Sequence, residues 1–129
     1  MEKIESFEDL KVWSKSHRLT VEVYKLTKAF PSDERYGLTS QMRRAAVSVP
    51  SNIVEGCSRQ SESEYLRFIE IAFGSLRELH YQLGLSKRLG YAAEFDSLTI
   101  LQEKVIETEK VLNGLIRSLR NPNSLQPSV

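Results

Sequence analysis

Apolar residues in the last third of the chain recur at alternating intervals of three and four positions. This spacing keeps the side chains on one face of an α-helix and is typical of the seam along which helices pack in coiled coils and bundles. The helix is predicted to begin near Ala92 or Ala93 and to stop at Asn121 and Pro122. The seam consists of Leu98, Leu101, Val105, Thr108, Leu112, Leu115 and Leu119. The chain therefore contributes a long helix to a helical bundle.

Three further helices are predicted before this one. Ser61 and Glu64 form a capping box ahead of an apolar run, and Gly90 supplies the left-handed residue that commonly follows a helix. No segment alternates with the period of two that a β-strand needs. The predicted helices cover about 7–29, 38 or 39 to 57 or 58, about 62–89, and 92 or 93 to about 120. Short connections then predict an all-α, antiparallel up-down-up-down four-helix bundle at 1–121, with a disordered tail at 122–129.

Pro50 lies in the middle of the second predicted helix. Proline removes one backbone hydrogen bond and clashes with the carbonyl four residues earlier, here that of Ala46, at a cost of about 3 kcal/mol. Because the apolar spacing continues past Pro50 in phase, we predict one continuous helix that bends there by more than about 20°. The alternative is a helix that ends at Val49 and a new one that starts at Pro50. The hydroxyls of Ser48 and Ser51 are expected to bond to the freed backbone carbonyls.

Each of the first three helices carries a second apolar stripe. Eight of residues 65–76 are apolar or aromatic, against about three to four in two turns of a helix with one wet face. Two apolar surfaces per chain suit a closed ring, in which one patch meets a different patch on the next subunit. We predict self-association through Val47, Pro50 and Val54. The alternative is a wide core stripe with scattered exposed apolar side chains.

Composition places few limits on the partner. The chain has 18 Lys and Arg against 17 Asp and Glu, a formal net charge of +1, so any basic site has to come from local clustering. The single cysteine, Cys57, excludes an intrachain disulfide and favours a reducing compartment. No run approaches the roughly 20 apolar residues of a membrane span, and the first residues lack the apolar core of a signal peptide. We therefore expect a soluble, cytoplasmic protein that does not bind membranes.

Basic residues recur along one face of the first helix. Lys11, Lys15, Arg18 and Lys25, with Glu22 among them, follow the four-three spacing of a single helical face. Repeated around a ring, this stripe would form a basic band, and contact between such a band and many phosphates depends steeply on salt. The alternative is an ordinary solvated helix face.

Two adjacent arginines on the second helix, Arg43 and Arg44, form a second basic group. Neighbouring residues point about 100° apart on a helix, so one of the two is expected to face inward. The planar fork of donors on arginine suits contact with a nucleic-acid phosphate. The alternative is an ion pair with a carboxylate such as that of Glu64 or Glu70.

Three blocks of the sequence resemble a known family. They are FEDLKVW at 7–13, YGLTSQMRRAAVSVPSNIVEGCSR at 36–59 and LNGLIRSL at 112–119, and they are similar to the four-helix bundle proteins first noticed in intervening sequences of bacterial 23S ribosomal RNA genes. The resemblance implies a small non-enzymatic protein that assembles as a homopentamer. A related branch serves diversity-generating retroelements, where a pentameric barrel with a basic surface binds the reverse transcriptase and nucleic acid. This chain differs from that branch in its near-neutral charge.

The sequence contains no recognisable catalytic or ligand-binding motif. His17 and His80 lack metal-ligand spacing, Cys57 has no nearby cysteine, and Glu107 and Glu109 lie on different faces of their helix. We expect no enzyme activity, cofactor, metal or small-molecule substrate. Two functions remain. The first is a pentameric adaptor that binds RNA, DNA or a nucleic-acid enzyme such as a reverse transcriptase, and the second is an oligomeric scaffold for a protein partner without a nucleic-acid role.

Overall fold

The computed structural model describes residues 10–92 and 95–121. Its helices are α1 (Lys11–Thr27), α2 (Leu38–Cys57), α3 (Glu62–Leu89) and α4 (Phe95–Arg120), with one turn of 3-10 helix at Ser32–Glu34. Helices α1 and α3 each contact both α2 and α4, so the four form a helical bundle. The described residues contain no β-strand. None of the described helices is long and apolar enough to cross a membrane.

The predicted boundaries of α2 and α3 are confirmed. The hydroxyl of Ser61 accepts a hydrogen bond from the backbone N–H of Glu64 at 3.1 Å, which is half of the predicted capping box. Gly90 ends α3 in the left-handed region, with φ of 70°, where a glycine avoids the steric cost of a side chain. Local capping chemistry therefore determines both ends of α3.

Helices α1 and α4 are shorter than predicted. Helix α1 ends at Thr27, two residues before the predicted end, because the chain turns toward Pro31. Ala92 lies in the connection before α4, which begins at Phe95. The predicted starts at residues 7 and 93 and the predicted tail at 122–129 lie outside the described residues.

The core lies where the apolar stripes of the four helices meet. On α4, Ile116 is buried, whereas Leu115 and Leu119 are half-buried at the edge of the core. Leu115 and Leu119 of the predicted seam still pack against the core, but they lie at its edge, because a helix with 3.6 residues per turn drifts away from a strict three-four repeat. The largest fully buried side chains are those of Met42, Ile53, Ile69, Leu76, Leu79, Leu83, Leu98 and Leu112.

Helix α2 continues through Pro50, as predicted. The buried carbonyl of Ala46 loses its helical donor at Pro50. It lies 2.9 Å from Thr20 Oγ1 on α1, whose one hydroxyl hydrogen it shares with the Ser16 carbonyl, also at 2.9 Å. The prediction that Ser48 or Ser51 serves this carbonyl is wrong, since the Ser48 hydroxyl bonds to Ser75 on α3 at 2.8 Å instead. The proline therefore leaves α2 with an acceptor that ties it to α1. The bend angle at Pro50 stays a prediction.

We expect Thr20→Val to lower the free energy of unfolding by about 1 to 2 kcal/mol. Valine keeps the shape of threonine but leaves the buried Ala46 carbonyl without its donor from α1. Urea denaturation followed by circular dichroism measures the change. Thr20→Ser keeps the hydroxyl and should remain closer to the wild type, so equal losses in the two variants would contradict the role assigned to this bond.

The side chain of Glu34, four residues before the start of α2, caps the N-terminus of this helix. Glu34 Oε1 accepts a hydrogen bond from the backbone N–H of Leu38 at 3.0 Å, and Oε2 accepts one from the Tyr91 hydroxyl at 2.7 Å. The bond from Leu38 and then the bond from Tyr91 lower the pKa of Glu34. One carboxylate thereby links the start of α2 to the connection that follows α3.

Candidate nucleic-acid and subunit interfaces

The predicted basic stripe of α1 lies next to acidic residues of the bundle. Lys15 forms an ion pair with Glu107 of α4, and Lys104 of α4 donates to Glu22 at 2.8 Å. The hydrogen bond from Lys15 lowers the pKa of Glu107, with smaller contributions from Lys11 and Lys104. Part of the stripe is therefore neutralised within the chain. The exposed basic residues on α1 include Lys11, Arg18 and Lys25.

Arg43 and Arg44 have different surroundings, as their spacing predicted. The Nε of Arg43 donates to Thr27 Oγ1 at 2.9 Å, and its guanidinium lies 4.6 Å from the ring centroid of Tyr24. Within the described residues it meets no carboxylate. Glu70, one of the partners considered from the sequence, instead accepts a hydrogen bond from Arg120 at 3.1 Å. Arg43 therefore joins α2 to α1.

Arg44 is exposed, and its side chain forms no hydrogen bond or ion pair with the other described residues. All five guanidinium donors are therefore available to a ligand.

A concave surface between α1 and α2 brings three arginines and two tyrosines together. We call it the arginine–tyrosine groove, lined by Tyr24, Arg35, Tyr36, Arg43 and Arg44, with Thr39, Ser40, Val47 and Ser48 completing it. The cavity measures about 600 Å³. Tyr36 is 88% exposed. Among the described residues no carboxylate lines the groove, so these do not neutralise its positive charge.

Three residues of this groove were missed by sequence analysis. Tyr24 lies on α1, and Arg35 and Tyr36 belong to the connection before α2. The sequence signal for this site was an arginine next to a tyrosine in a polar connection, a pair that can contact both a phosphate and a base. The groove forms because the connection between α1 and α2 folds back against α1. This places Arg35 and Tyr36 in the same groove as Arg43.

A second concavity adjoins the groove between α2 and α3. We call it the polar pocket, and it is lined by Gln41, Arg44, Ala45, Ser48, Ser75 and Glu78. Its volume is about 570 Å³. Arg44 and Ser48 line both cavities, so a ligand that extends along α2 would contact both.

The three predicted subunit-interface residues differ in exposure. Val47 is 38% exposed, Val54 is half-buried, and Pro50 is already buried within the chain. Further large apolar side chains are exposed on α1 and α3, where second stripes were predicted, and on α4, where none was predicted. They include Val21 on α1, Ile71 and Tyr81 on α3, and Ile100 and Ile106 on α4. The interface itself stays a prediction.

A model of the 23S rRNA-intervening sequence proteins matches residues 8–114, which is most of the chain. The chain belongs to this family. The predicted resemblance is thereby confirmed. None of the curated proteins compared with the chain matches it.

A solved structure agrees with the fold of this 23S rRNA-intervening sequence protein. It is a crystal structure described as a protein with unknown function from the S23 ribosomal protein family of Bacteroides thetaiotaomicron VPI-5482. The similarity covers 82% of this chain and 98% of that chain, with a TM-score of 0.72 and 24% sequence identity. At this identity the likeness supports the fold alone.

The two histidines of this intervening sequence protein contact other side chains of the bundle, and its cysteine is partly buried. His17 stacks on Trp13 with ring centroids 4.9 Å apart, and His80 Nδ1 lies 2.8 Å from a carboxylate oxygen of Glu109. Burial raises the pKa of the Cys57 thiol, which disfavours the reactive thiolate. No group of three His, Cys, Asp or Glu in the described residues has an arrangement suited to a metal.

Proposed function

We propose that this 23S rRNA-intervening sequence protein is a non-catalytic, homo-oligomeric binding module that engages nucleic acid, or an enzyme that acts on it. The observation that carries the proposal is the arginine–tyrosine groove. Guanidinium groups bind phosphate through paired donors, and the faces of tyrosine rings stack on unpaired bases. A surface that offers both without a carboxylate suits a single strand. The exposed Lys11, Arg18 and Lys25 would extend the contact beyond the groove.

We further infer an antiparallel bundle that assembles as a ring, with five subunits as the family resemblance implies. Contacts between helices support the antiparallel order, because on α3 and α4 Glu70 pairs with Arg120 whereas Arg77 pairs with Glu109. The exposed apolar side chains of Val21, Ile71 and Ile100 support self-association, since a subunit interface would remove apolar surface from water. A ring would present the groove once per subunit and multiply weak contacts to one strand.

A titration of labelled single-stranded RNA at several salt concentrations tests the proposed function. We expect affinity to fall as salt rises, because each phosphate contact releases counterions. Arg44→Ala should weaken binding and reduce the slope of log K against log salt by about 0.7 for each groove that contacts the strand. Arg67→Ala removes an exposed arginine of α3 that does not line the groove. It should change neither the affinity nor the salt slope. Affinity that does not depend on salt, or equal losses in both variants, would refute the proposal.

We expect Val54→Glu to dissociate the oligomer. A carboxylate buried at an apolar interface is costly unless it is paired, so the variant should sediment as a monomer and unfold at a lower urea concentration than the wild type. Val54→Thr keeps the shape without the charge and should remain assembled. A wild-type protein that sediments as a well-folded monomer at high micromolar concentration would end the argument for a ring.

The second candidate function is an oligomeric scaffold for a protein partner. The observation in its favour is on α3, where Tyr81 is 67% exposed and Ile71 is 42% exposed. Exposed aromatic and aliphatic side chains are typical anchors of protein interfaces. An assembled wild-type ring that fails to bind RNA or DNA at low salt would favour this function over the first.

A further inference from the structure

We propose that the polar pocket binds a guanine base. The base would belong either to a single strand in the arginine–tyrosine groove, a source that rests on the proposed function, or to a free guanine nucleotide. The pocket volume of about 570 Å³ lies within the range of about 300 to 1,000 Å³ that is usual for small-ligand sites.

The two serines of the pocket retain an unused hydroxyl donor. Ser48 Oγ and Ser75 Oγ lie 2.8 Å apart, so one of their two hydroxyl hydrogens is used between them. Asn52 Nδ2 also donates to Ser48 Oγ, at 3.0 Å. The second hydroxyl hydrogen has no acceptor among the other described residues. It is available to an acceptor on a ligand.

Further donors line the same pocket. Gln41 and Arg44 are exposed, and neither side chain bonds to another described residue. Arg44 supplies up to five N–H donors and Gln41 two, with one carbonyl acceptor on Gln41. A ligand that fills the pocket therefore has to offer acceptors to this side.

Glu78 lines the same pocket and needs hydrogen-bond donors on a ligand, whereas Arg44 needs acceptors. Gln82 Nε2 donates to Glu78 Oε2 at 3.2 Å, and Gln82 is only 3% exposed. A buried amide thus orients an exposed carboxylate, which makes Gln82 a positioning residue for Glu78. The other carboxylate oxygen, Oε1, has no donor among the described residues. A ligand that displaces water from this carboxylate therefore has to offer N–H or O–H donors.

Guanine fits this combination better than the other common bases. Its Watson–Crick edge carries two adjacent donors, N1–H and the N2 amino group, which a carboxylate accepts together. Adenine and cytosine place a ring acceptor beside their amino group, and uracil flanks its N–H with two carbonyls, so each of these edges repels a carboxylate. The acceptors O6 and N7 of guanine suit Arg44. With the base beside Glu78, its phosphate would lie toward the groove, since Arg44 borders both cavities.

The test compares short oligouridines that carry one central guanosine, adenosine or cytidine, or no substitution, by fluorescence anisotropy on the full chain. Each strand carries only one guanosine because guanine-rich strands associate into four-stranded structures. We expect the guanosine strand to bind about 10-fold more tightly than the others, which is toward the low end of the discrimination given by a good bidentate contact. A central inosine, which lacks the N2 amino group, should lose most of this preference.

Glu78→Gln is the diagnostic variant. It preserves an acceptor for Gln82 but replaces one pocket oxygen by an amide donor, so the guanosine preference should fall below about twofold while affinity for oligouridine is unchanged. Glu103→Gln, a matched change at an exposed glutamate of α4, should keep the preference. Circular dichroism verifies that both variants fold.

The outcomes separate the two proposals. Equal, salt-dependent binding of all strands would overturn the guanine pocket and leave the nucleic-acid function standing. No binding of any strand would overturn that function, and the guanine pocket would then depend on free guanosine monophosphate, measured by calorimetry with adenosine monophosphate as control. Selective binding of guanosine monophosphate that Glu78→Gln abolishes would support the pocket and identify the free nucleotide as its source. If guanosine monophosphate also fails to bind, the pocket is refuted.

Discussion

The double variant Arg77→Met/His80→Phe is expected to lose about 3 to 5 kcal/mol of folding free energy, the range found when a buried charge loses its partners. Glu109 on α4 is only 7% exposed. Arg77 Nη1 lies 3.3 Å from both of its carboxylate oxygens, and His80 Nδ1 lies 2.8 Å from one of them. Without these two side chains of α3, the carboxylate would remain buried without its polar partners. Urea denaturation measures the loss.

The reverse substitution provides the control. Glu109→Met removes the charge and retains an unbranched side chain, while Arg77 and His80 keep access to water because both are partly exposed. We expect its stability to stay within about 1 kcal/mol of the wild type. A small loss for the double variant would contradict the expected cost of the unpaired carboxylate, and large losses in both variants would show that the ion pairs themselves stabilise the bundle.

Gly56→Val is expected to cost about 3 kcal/mol, the upper part of the usual range for overpacking a core. Gly56 lies in the last turn of α2, where the chain is about to turn into α3. A Cβ atom there would lie 3.0 Å from Cδ1 of Tyr65 and 3.1 Å from Cβ of Phe68, before the two γ-methyl groups of valine are added. Thermal and urea unfolding both report the change.

Gly74→Val is the matched control on α3, because beyond its chain neighbours and its own helix backbone no heavy atom lies within 4 Å of the position its Cβ would take. We expect its stability to differ from the wild type by no more than about 0.5 kcal/mol. Similar losses at both positions would mean that valine in the helix, rather than close approach of α2 and α3, causes the effect at Gly56.

The sequence by itself determined the four helices, most of their ends and most of the core. Periodicity and caps act over a few residues, so the pattern that continues past Pro50, the Ser61 cap and the left-handed Gly90 were all predictable. The three blocks that resemble the intervening sequence proteins were equally visible. The seam of α4 was predictable only up to Leu112, since the choice of Ile116 over Leu115 depends on how the helix is rotated against its neighbours.

The tertiary structure decided which side chains meet. Thr20 reaches the Ala46 carbonyl from α1 and Glu109 meets Arg77 on α3, although each pair is far apart in the chain. The arginine–tyrosine groove and the polar pocket arise in the same way, from residues on different helices and connections. Such contacts depend on the rotation and register of whole helices, which follow from the packing of the complete core. Helical spacing predicts the face of each residue, and packing alone selects the partner opposite it.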